Sequence, residues 1–336
     1  MWRAVDIANI AGMRCLAVLV AAAALAGCGS EGSGGSVELT WGSPGREAGR
    51  FVKPRGLAAD AKRNAVYVVD MSGRLQKFDR DGVFMGSVLL PDSKRGTGEG
   101  LAVTAAGQVL LADTHYHRVL RYSPELDLVG SFGEMGREPG EMLFPTCVAV
   151  DSKGNIYVGG YGDNRVQKYD SSGRYLLGWG SLGRKPGQFQ RPSGIAIDHE
   201  GNVLVADAAN HRVQRFTPEG NLLNIWGRSG SAPGEMYYPY DLAILPDGSV
   251  AVAENYNNRI QRFSVKGEHL GFFGGPGREP GRFSRPWCLF ATPDGLIYVS
   301  DTLNHRVQVV RLSGVEVPAP TESAGAASGA PRLASR

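Results

Sequence analysis

Residues 192 to 227 divide into four short apolar runs: Pro192-Ser-Gly-Ile-Ala-Ile-Asp198, Gly201-Asn-Val-Leu-Val-Ala-Asp207, Asn210-His-Arg-Val-Gln-Arg-Phe216 and Gly220-Asn-Leu-Leu-Asn-Ile-Trp-Gly227. Each is rich in β-branched or aromatic residues and is bounded by Gly, Asn or Asp. That is the composition of a strand ending in a tight turn. No part of the stretch keeps a helical period. The pattern predicts four antiparallel strands joined by hairpins.

The same arrangement recurs along the chain. Arg118, Arg165, Arg212, Arg259 and Arg306 follow one another at intervals of 47 residues, and Arg74 stands 44 residues ahead of the first. Each introduces a third strand. A four-stranded unit repeated at this length reads as one blade of a radial all-β array, a β-propeller. Turns recur too, in Asp151-Ser-Lys-Gly154, Asp198-His-Glu-Gly201, Pro246-Asp-Gly248 and Pro293-Asp-Gly295. Between blades run longer loops: Gly136-Arg-Glu-Pro-Gly140, Gly183-Arg-Lys-Pro-Gly187, Gly230-Ser-Ala-Pro-Gly234 and Gly277-Arg-Glu-Pro-Gly281. Each leads to a proline that opens the next inner strand: Pro145, Pro192, Pro239 or Pro286. Proline fixes φ where that strand begins.

Closure is legible as well. Val37-Glu-Leu-Thr-Trp-Gly42 has the form of a fourth strand with no third strand before it, while the last copy has its third strand, Arg306 to Leu312, and no fourth after it. The N-terminal strand is therefore expected to complete the last blade and close the ring, leaving no open edge. The expected fold is an all-β, six-bladed propeller of four-stranded antiparallel blades over residues 37–315.

These motifs resemble the NHL-repeat family: the Pro-x-Gly-Ile-Ala opening, the Gly-Asn-Val-x-Val-x-Asp second strand and the Asn-His-Arg-Val-Gln third strand. The resemblance runs from Val37 to about Val315.

Outside that span the composition changes. Arg14, the apolar run Cys15 to Ala26 and the ending Leu25-Ala26-Gly27-Cys28 have the order of a secretory signal. The ending resembles a bacterial lipobox, which implies lipidation of Cys28 and an extracytoplasmic, membrane-anchored protein. Residues 1–27 are then the signal peptide, with Met13-Arg14 the expected start and residues 1–12 fitting no part of it. Residues 28–36 follow as lipidated cysteine and Gly/Ser/Glu tether, and residues 316–336 form an Ala/Pro/Ser tail expected to be disordered. Within the repeats only Cys147 and Cys288 remain, 141 residues apart and so on opposite sides of a six-fold ring. That separation exceeds disulfide reach, and two separate buried thiols are expected.

Charge adds little. The net charge of +3, with both signs interspersed, argues against a dominant nucleic-acid surface, and an exported protein would rarely meet RNA. Glycine, 47 of 336 residues and about twice the usual share, falls at the turns.

Repeated residues read as scaffold. Asp113 with Arg118, Asp207 with Arg212 and Asp301 with Arg306 are expected to form ion pairs across the turn between strands two and three. Gly160 in blade three and Glu254 in blade five loosen that pattern. His117, His211 and His305 recur on alternate blades in the same turn, out from the axis, as structural residues. Arg46, Arg137, Arg184 and Arg278 form a possible basic rim on the inter-blade loops, partly cancelled by Glu47, Glu138 and Glu279.

Chemical variety is confined to the position after the strand-one proline. It holds Arg55, Thr146, Ser193, Tyr240 and Trp287, with Glu99 at the equivalent place in blade two. Related amidating lyases hold catalytic zinc through histidines in this position, and no histidine stands there. Lactonase-like propellers use an axial cage of oxygen ligands for calcium, and Glu99 and Asp241 on opposite blades are the only carboxylates offered. Tyr, Trp and Arg are enriched at binding hot spots. The resulting expectation is a monomeric, non-catalytic binding module without cofactor, metal or nucleic acid. It would take an envelope protein, peptide or glycan through Arg55, Glu99, Thr146, Tyr240, Asp241 and Trp287. A metal-assisted lyase or lactonase-like hydrolase at the same channel mouth is the alternative.

Overall fold

The structure, a computed structural model, describes residues 34–317. The expected signal peptide, Cys28 and most of the expected C-terminal tail lie outside the described residues. Within them are six four-stranded antiparallel sheets. Blade one comprises Pro54–Asp60, Ala65–Asp70, Arg74–Phe78 and Phe84–Leu89. Blade two comprises Leu101–Val103, Val109–Asp113, Arg118–Tyr122 and Leu128–Phe132. Blades three, four and five follow with inner strands Pro145–Val150, Pro192–Ile197 and Pro239–Ile244 and outer strands Tyr175–Trp179, Leu222–Trp226 and His269–Gly274. Blade six has Pro286–Ala291, Ile297–Asp301 and Arg306–Leu312, and its fourth strand is Gly35–Trp41 from the other end of the chain. Gly35 pairs with Leu312 and Trp41 with Val307. The ring closes as the sequence indicates.

Burial follows position in the blade. The second strands are buried along their whole length, as in Val203–Asp207 and Ile297–Asp301, because neighbouring strands flank them in the sheet and neighbouring blades cover both faces. The outer strand Tyr175–Trp179 alternates half-buried with exposed residues. One residue from each regular loop plugs the seam between blades: Phe51, Met142, Phe189, Met236 and Phe283 are at most 2% exposed. Phe189 lies 5.5 Å from the Phe216 ring, and Trp179 of blade three covers the same Phe216 at 5.7 Å. Burying each such side chain contributes about 1.5 to 3 kcal/mol. Gly180, at φ 95°, must be glycine, since a Cβ there would stand 2.5 Å from the Phe189 ring.

The repeated arginine ties loop to blade. Arg212 Nε donates to Asp207 at 2.8 Å, and its outer nitrogens donate to the carbonyls of Arg184, Lys185 and Gln188 in the incoming loop at 2.8 to 2.9 Å. Arg165, Arg259 and Arg306 repeat these loop contacts. Contrary to the expected loosening, Glu254 takes the aspartate's place in blade five, pairing with Arg259 at 2.5 Å. In blade three Asp163 pairs with Arg165 at 2.8 Å in place of the missing carboxylate at Gly160. The longer Glu side chain and the shifted Asp each restore the acceptor. Cys147 and Cys288 are free and buried.

Strand direction fixes two faces. Inner strands start, and the turns between strands two and three close, on the face bearing the inter-blade loops. Because Gly35–Trp41 is a fourth strand and Arg306–Leu312 a third, both ends of the described chain leave on the opposite face, where Ser313 N donates to Gly34 O at 2.7 Å.

Candidate functional site

Each of the five regular inner strands delivers the residue after its proline to the channel mouth on the loop face, and blade two delivers Glu99 without a proline before it. Where that residue is small, it joins blades: Thr146 Oγ1 donates to Pro192 O at 2.8 Å and Ser193 Oγ to Pro239 O at 3.2 Å. Thr146 is 5% exposed and its hydroxyl is committed to this bond. Where the residue is large, it covers the mouth. Tyr240 meets Trp287 edge-on with ring centroids 4.4 Å apart. The Arg55 guanidinium lies 4.1 Å from the Trp287 ring centroid and forms an ion pair with Glu99. Blades five, six, one and two thus contribute one continuous arc, Tyr240, Trp287, Arg55 and Glu99.

The arc is an electrostatic unit. Burial pushes the Glu99 carboxyl up, opposed by the Arg55 charge beside it, and burial also raises the Tyr240 phenol. A guanidinium over an aromatic face is worth about 0.5 to 2 kcal/mol, more as the site is desolvated. Arg55 therefore has two partners, one ionic and one aromatic, which hold it across the mouth.

Asp241, the next residue of blade five, stands one step deeper. Its Oδ2 accepts from Leu289 N of blade six at 2.9 Å, and burial raises its pKa to about 6. Below the arc lies a cavity of about 280 Å³ lined by the inner strands of all six blades, including Asp241, Cys147 and Cys288. Burial pushes the Cys147 thiol up to about 12 and Cys288 well above its ordinary value. Thiols held protonated in this way are poor nucleophiles.

The three repeated histidines sit elsewhere. His117, His211 and His305 occupy left-handed turn positions at φ 55 to 58°. His117 Nδ1 accepts from Phe144 N at 3.0 Å and His211 Nδ1 from Tyr238 N at 3.1 Å. Each imidazole reaches the start of the next blade, as does His305 toward Lys53 N at 3.2 Å. Among the described residues no three His, Cys, Asp or Glu side chains are grouped to share a metal ion.

Residues 189–216, 236–263 and 283–310 match the model of the NHL repeat, and residues 139–165 match that of a beta-propeller repeat. The chain carries NHL repeats. No curated protein matches it by sequence. Solved structures share the propeller fold. They include a streptogramin B lyase at 13% identity and TM-score 0.59, covering 81% of this chain and 96% of that one. A protein of unknown function from Bacteroides thetaiotaomicron aligns at 15% identity and TM-score 0.64, covering 83% and 76%. A gluconolactonase from Xanthomonas campestris aligns at 13% identity and TM-score 0.59, covering 79% and 88%.

This NHL propeller has a second set of repeated loop-face residues that sequence reasoning passed over. Lys53, Phe144, Arg191, Tyr238 and Arg285 each precede the inner-strand proline, and all five hold φ between 51° and 62°. A non-glycine residue there costs about 1 to 2 kcal/mol, and such strain gathers at ligand-facing positions. Arg191 lies 5.5 Å from the Tyr161 ring and 5.6 Å from the Tyr240 ring. Arg285 lies 3.6 Å from the Tyr256 ring. The signal was present: the residue before each proline shares the 47-residue register and varies as freely as the one after it.

Proposed function

We propose that the protein is a non-catalytic binding module, held outside the cytoplasm by a lipid on Cys28, which takes a protein, peptide or glycan ligand at the loop-face mouth. The observation that carries this reading is the arc Tyr240, Trp287, Arg55 and Glu99, in which residues of hot-spot type from adjacent blades touch one another over a cavity while the rest of each repeat is committed to holding loops and seams.

The lyase and gluconolactonase among the fold's relatives suggest an alternative, metal-assisted lyase or lactonase-like hydrolysis at the same mouth. Two contacts favour binding over that chemistry. Glu99 is engaged by Arg55, and Asp241 by Leu289 N.

Capture of an envelope component by the full chain, compared with Tyr240→Ala and Trp287→Ala, tests the mouth. Both substitutions should abolish capture, and undiminished capture by both would defeat the reading. For the anchor, Cys28→Ser should release the protein from membranes, whereas unchanged fractionation would refute lipidation there. Stoichiometric Ca²⁺ or Zn²⁺ in the purified protein would favour the hydrolytic alternative.

A further inference from the structure

Main-chain groups are mostly occupied where the inner strands begin. The five regular inner strands start with Pro54, Pro145, Pro192, Pro239 and Pro286, which have no N–H to offer. Four of those proline carbonyls are already occupied. Thr302 Oγ1 donates to Pro54 O at 2.7 Å, Thr146 to Pro192 O at 2.8 Å, Ser193 to Pro239 O at 3.2 Å, and Asn255 Nδ2 to Pro286 O at 3.1 Å. A ligand that binds by adding a strand needs free backbone donors and acceptors. At these strand starts recognition falls to side chains.

The side chains on offer are guanidinium groups and tyrosine faces. Arg191 and Arg285 occupy the same repeat position on blades four and six, flanking blade five and its Tyr240. Neither has an acidic partner within 4.0 Å among the described residues, in contrast to Arg55, which has Glu99. Arg285 donates one bond, to Asn255 Oδ1 at 3.2 Å. Their backbones are fixed by neutral amides: Arg191 N donates to Asn164 Oδ1 at 2.9 Å and Arg285 N to Asn258 Oδ1 at 2.8 Å. At the equivalent turns that carry histidine, the residue held is Phe144, Tyr238 or Lys53. Tyr256, under Arg285, is 43% exposed and Tyr237 beside it 39%.

We propose, resting on the binding reading above, that the ligand is a carboxylated oligosaccharide, a chain of uronate-type sugars. One carboxylate would engage Arg191 and a second Arg285. A planar guanidinium matches a carboxylate in bidentate fashion, and tyrosine faces accept the apolar C–H face of a pyranose ring. Glu99 is paired with Arg55 and feels the Arg191 charge as well, so one carboxylate faces two guanidinium groups there and Arg285 adds a third on blade six.

Calorimetry of the full chain in detergent, with a short oligogalacturonate as probe, tests this. A malto-oligosaccharide of equal length serves as the neutral control and polyglutamate as the peptide control. Oligogalacturonate should bind more tightly than either control and more weakly as salt rises. Arg191→Gln and Arg285→Gln should each weaken it by about tenfold or more, the loss of a hydrogen bond to a charged group. Arg285→Lys should recover part of the affinity, and Arg137→Gln on the outer loop should leave it unchanged. Failure of oligogalacturonate to bind, equal binding of the neutral sugar, tighter binding of polyglutamate, or unchanged affinity in both Gln variants would each overturn the proposal. The binding-module reading would survive those results if capture of another envelope component still required Trp287.

Discussion

Arg55 of blade one and Trp287 of blade six, at the first and last copies of one repeat position, meet at 4.1 Å across the seam where the ring closes. Closure depends on the N-terminal strand pairing with Arg306–Leu312. Deletion through Trp41 should therefore remove more than one strand. It uncovers the edge of blade six and the ring of Tyr298, which Trp41 packs against at 5.8 Å. The truncated protein is expected to lose its cooperative melt and to associate through the exposed edge, as read by calorimetry and light scattering. A cooperative, monomeric truncated protein would contradict the role given to this strand.

Arg212 is expected to matter far more than a surface arginine. Its side chain is 12% exposed and its partner Asp207 0%. Arg212→Ala leaves the buried Asp207 carboxylate without its ionic partner, though Asn210 and Gln214 still donate to it, and takes a donor from three loop carbonyls, at a cost of about 3 to 5 kcal/mol. Arg80→Ala, which breaks a pair with Asp294 whose side chains are 37% and 51% exposed, should cost about 0 to 1 kcal/mol. Chemical denaturation of the two variants decides the matter, and equal losses would refute the scaffold role of the repeated arginine.

Histidine at the turn is expected to be exchangeable with asparagine. Asn164 and Asn258 stand where His117, His211 and His305 do, at φ 53° and 55°, and their side-chain oxygens accept the corresponding backbone N–H. His211→Asn should be neutral within about 0.5 kcal/mol, whereas His211→Ala should cost about 1 to 2 kcal/mol through the lost acceptor and the left-handed backbone. A large loss in the Asn variant would show that the imidazole has a role beyond the turn.

The fold was legible because its signals repeat. Strand lengths, turn glycines, inner-strand prolines and the arginine register all recur at one spacing, so each copy corrects the reading of the others, and the unpaired Val37–Gly42 strand then had one place to go. Blade two shows the limit. Its incoming segment, Asp92 to Gly100, departs from the loop pattern and contains no proline, its inner strand is only Leu101–Val103, and Arg118 reaches Asp92 in place of loop carbonyls. At the mouth the position after each proline was identified, but the sequence could not separate Thr146, turned into a blade-to-blade bond, from Tyr240 and Trp287, turned over the cavity. Nor did it show that Arg191, before its proline, reaches the Tyr240 ring, because that depends on a left-handed backbone the residue types do not announce.

Stability should carry a pH signature from Asp241. Its folded pKa of about 6 lies above the ordinary carboxyl value because burial disfavours the charged form. Between roughly pH 4 and 6 the folded protein holds the proton more tightly than the unfolded chain, so this stabilising contribution is present at low pH and lost as pH rises through 6. Asp241→Asn, which keeps an oxygen for Leu289 N, should remove that decline. Melting temperatures across pH 4 to 8 test it, and identical profiles for the two proteins would contradict the assignment.

Hydrogen-exchange mass spectrometry on the ligand-bound full chain tests the central claim most directly, because it asks where the ligand sits without presuming what it is. Protection is expected in segments 53–57, 97–100, 237–241 and 285–289, with no change in the far-face hairpins around Gly154, Gly201 and Gly248. Protection confined to those hairpins, or to the outer strands, would contradict a binding site at the mouth.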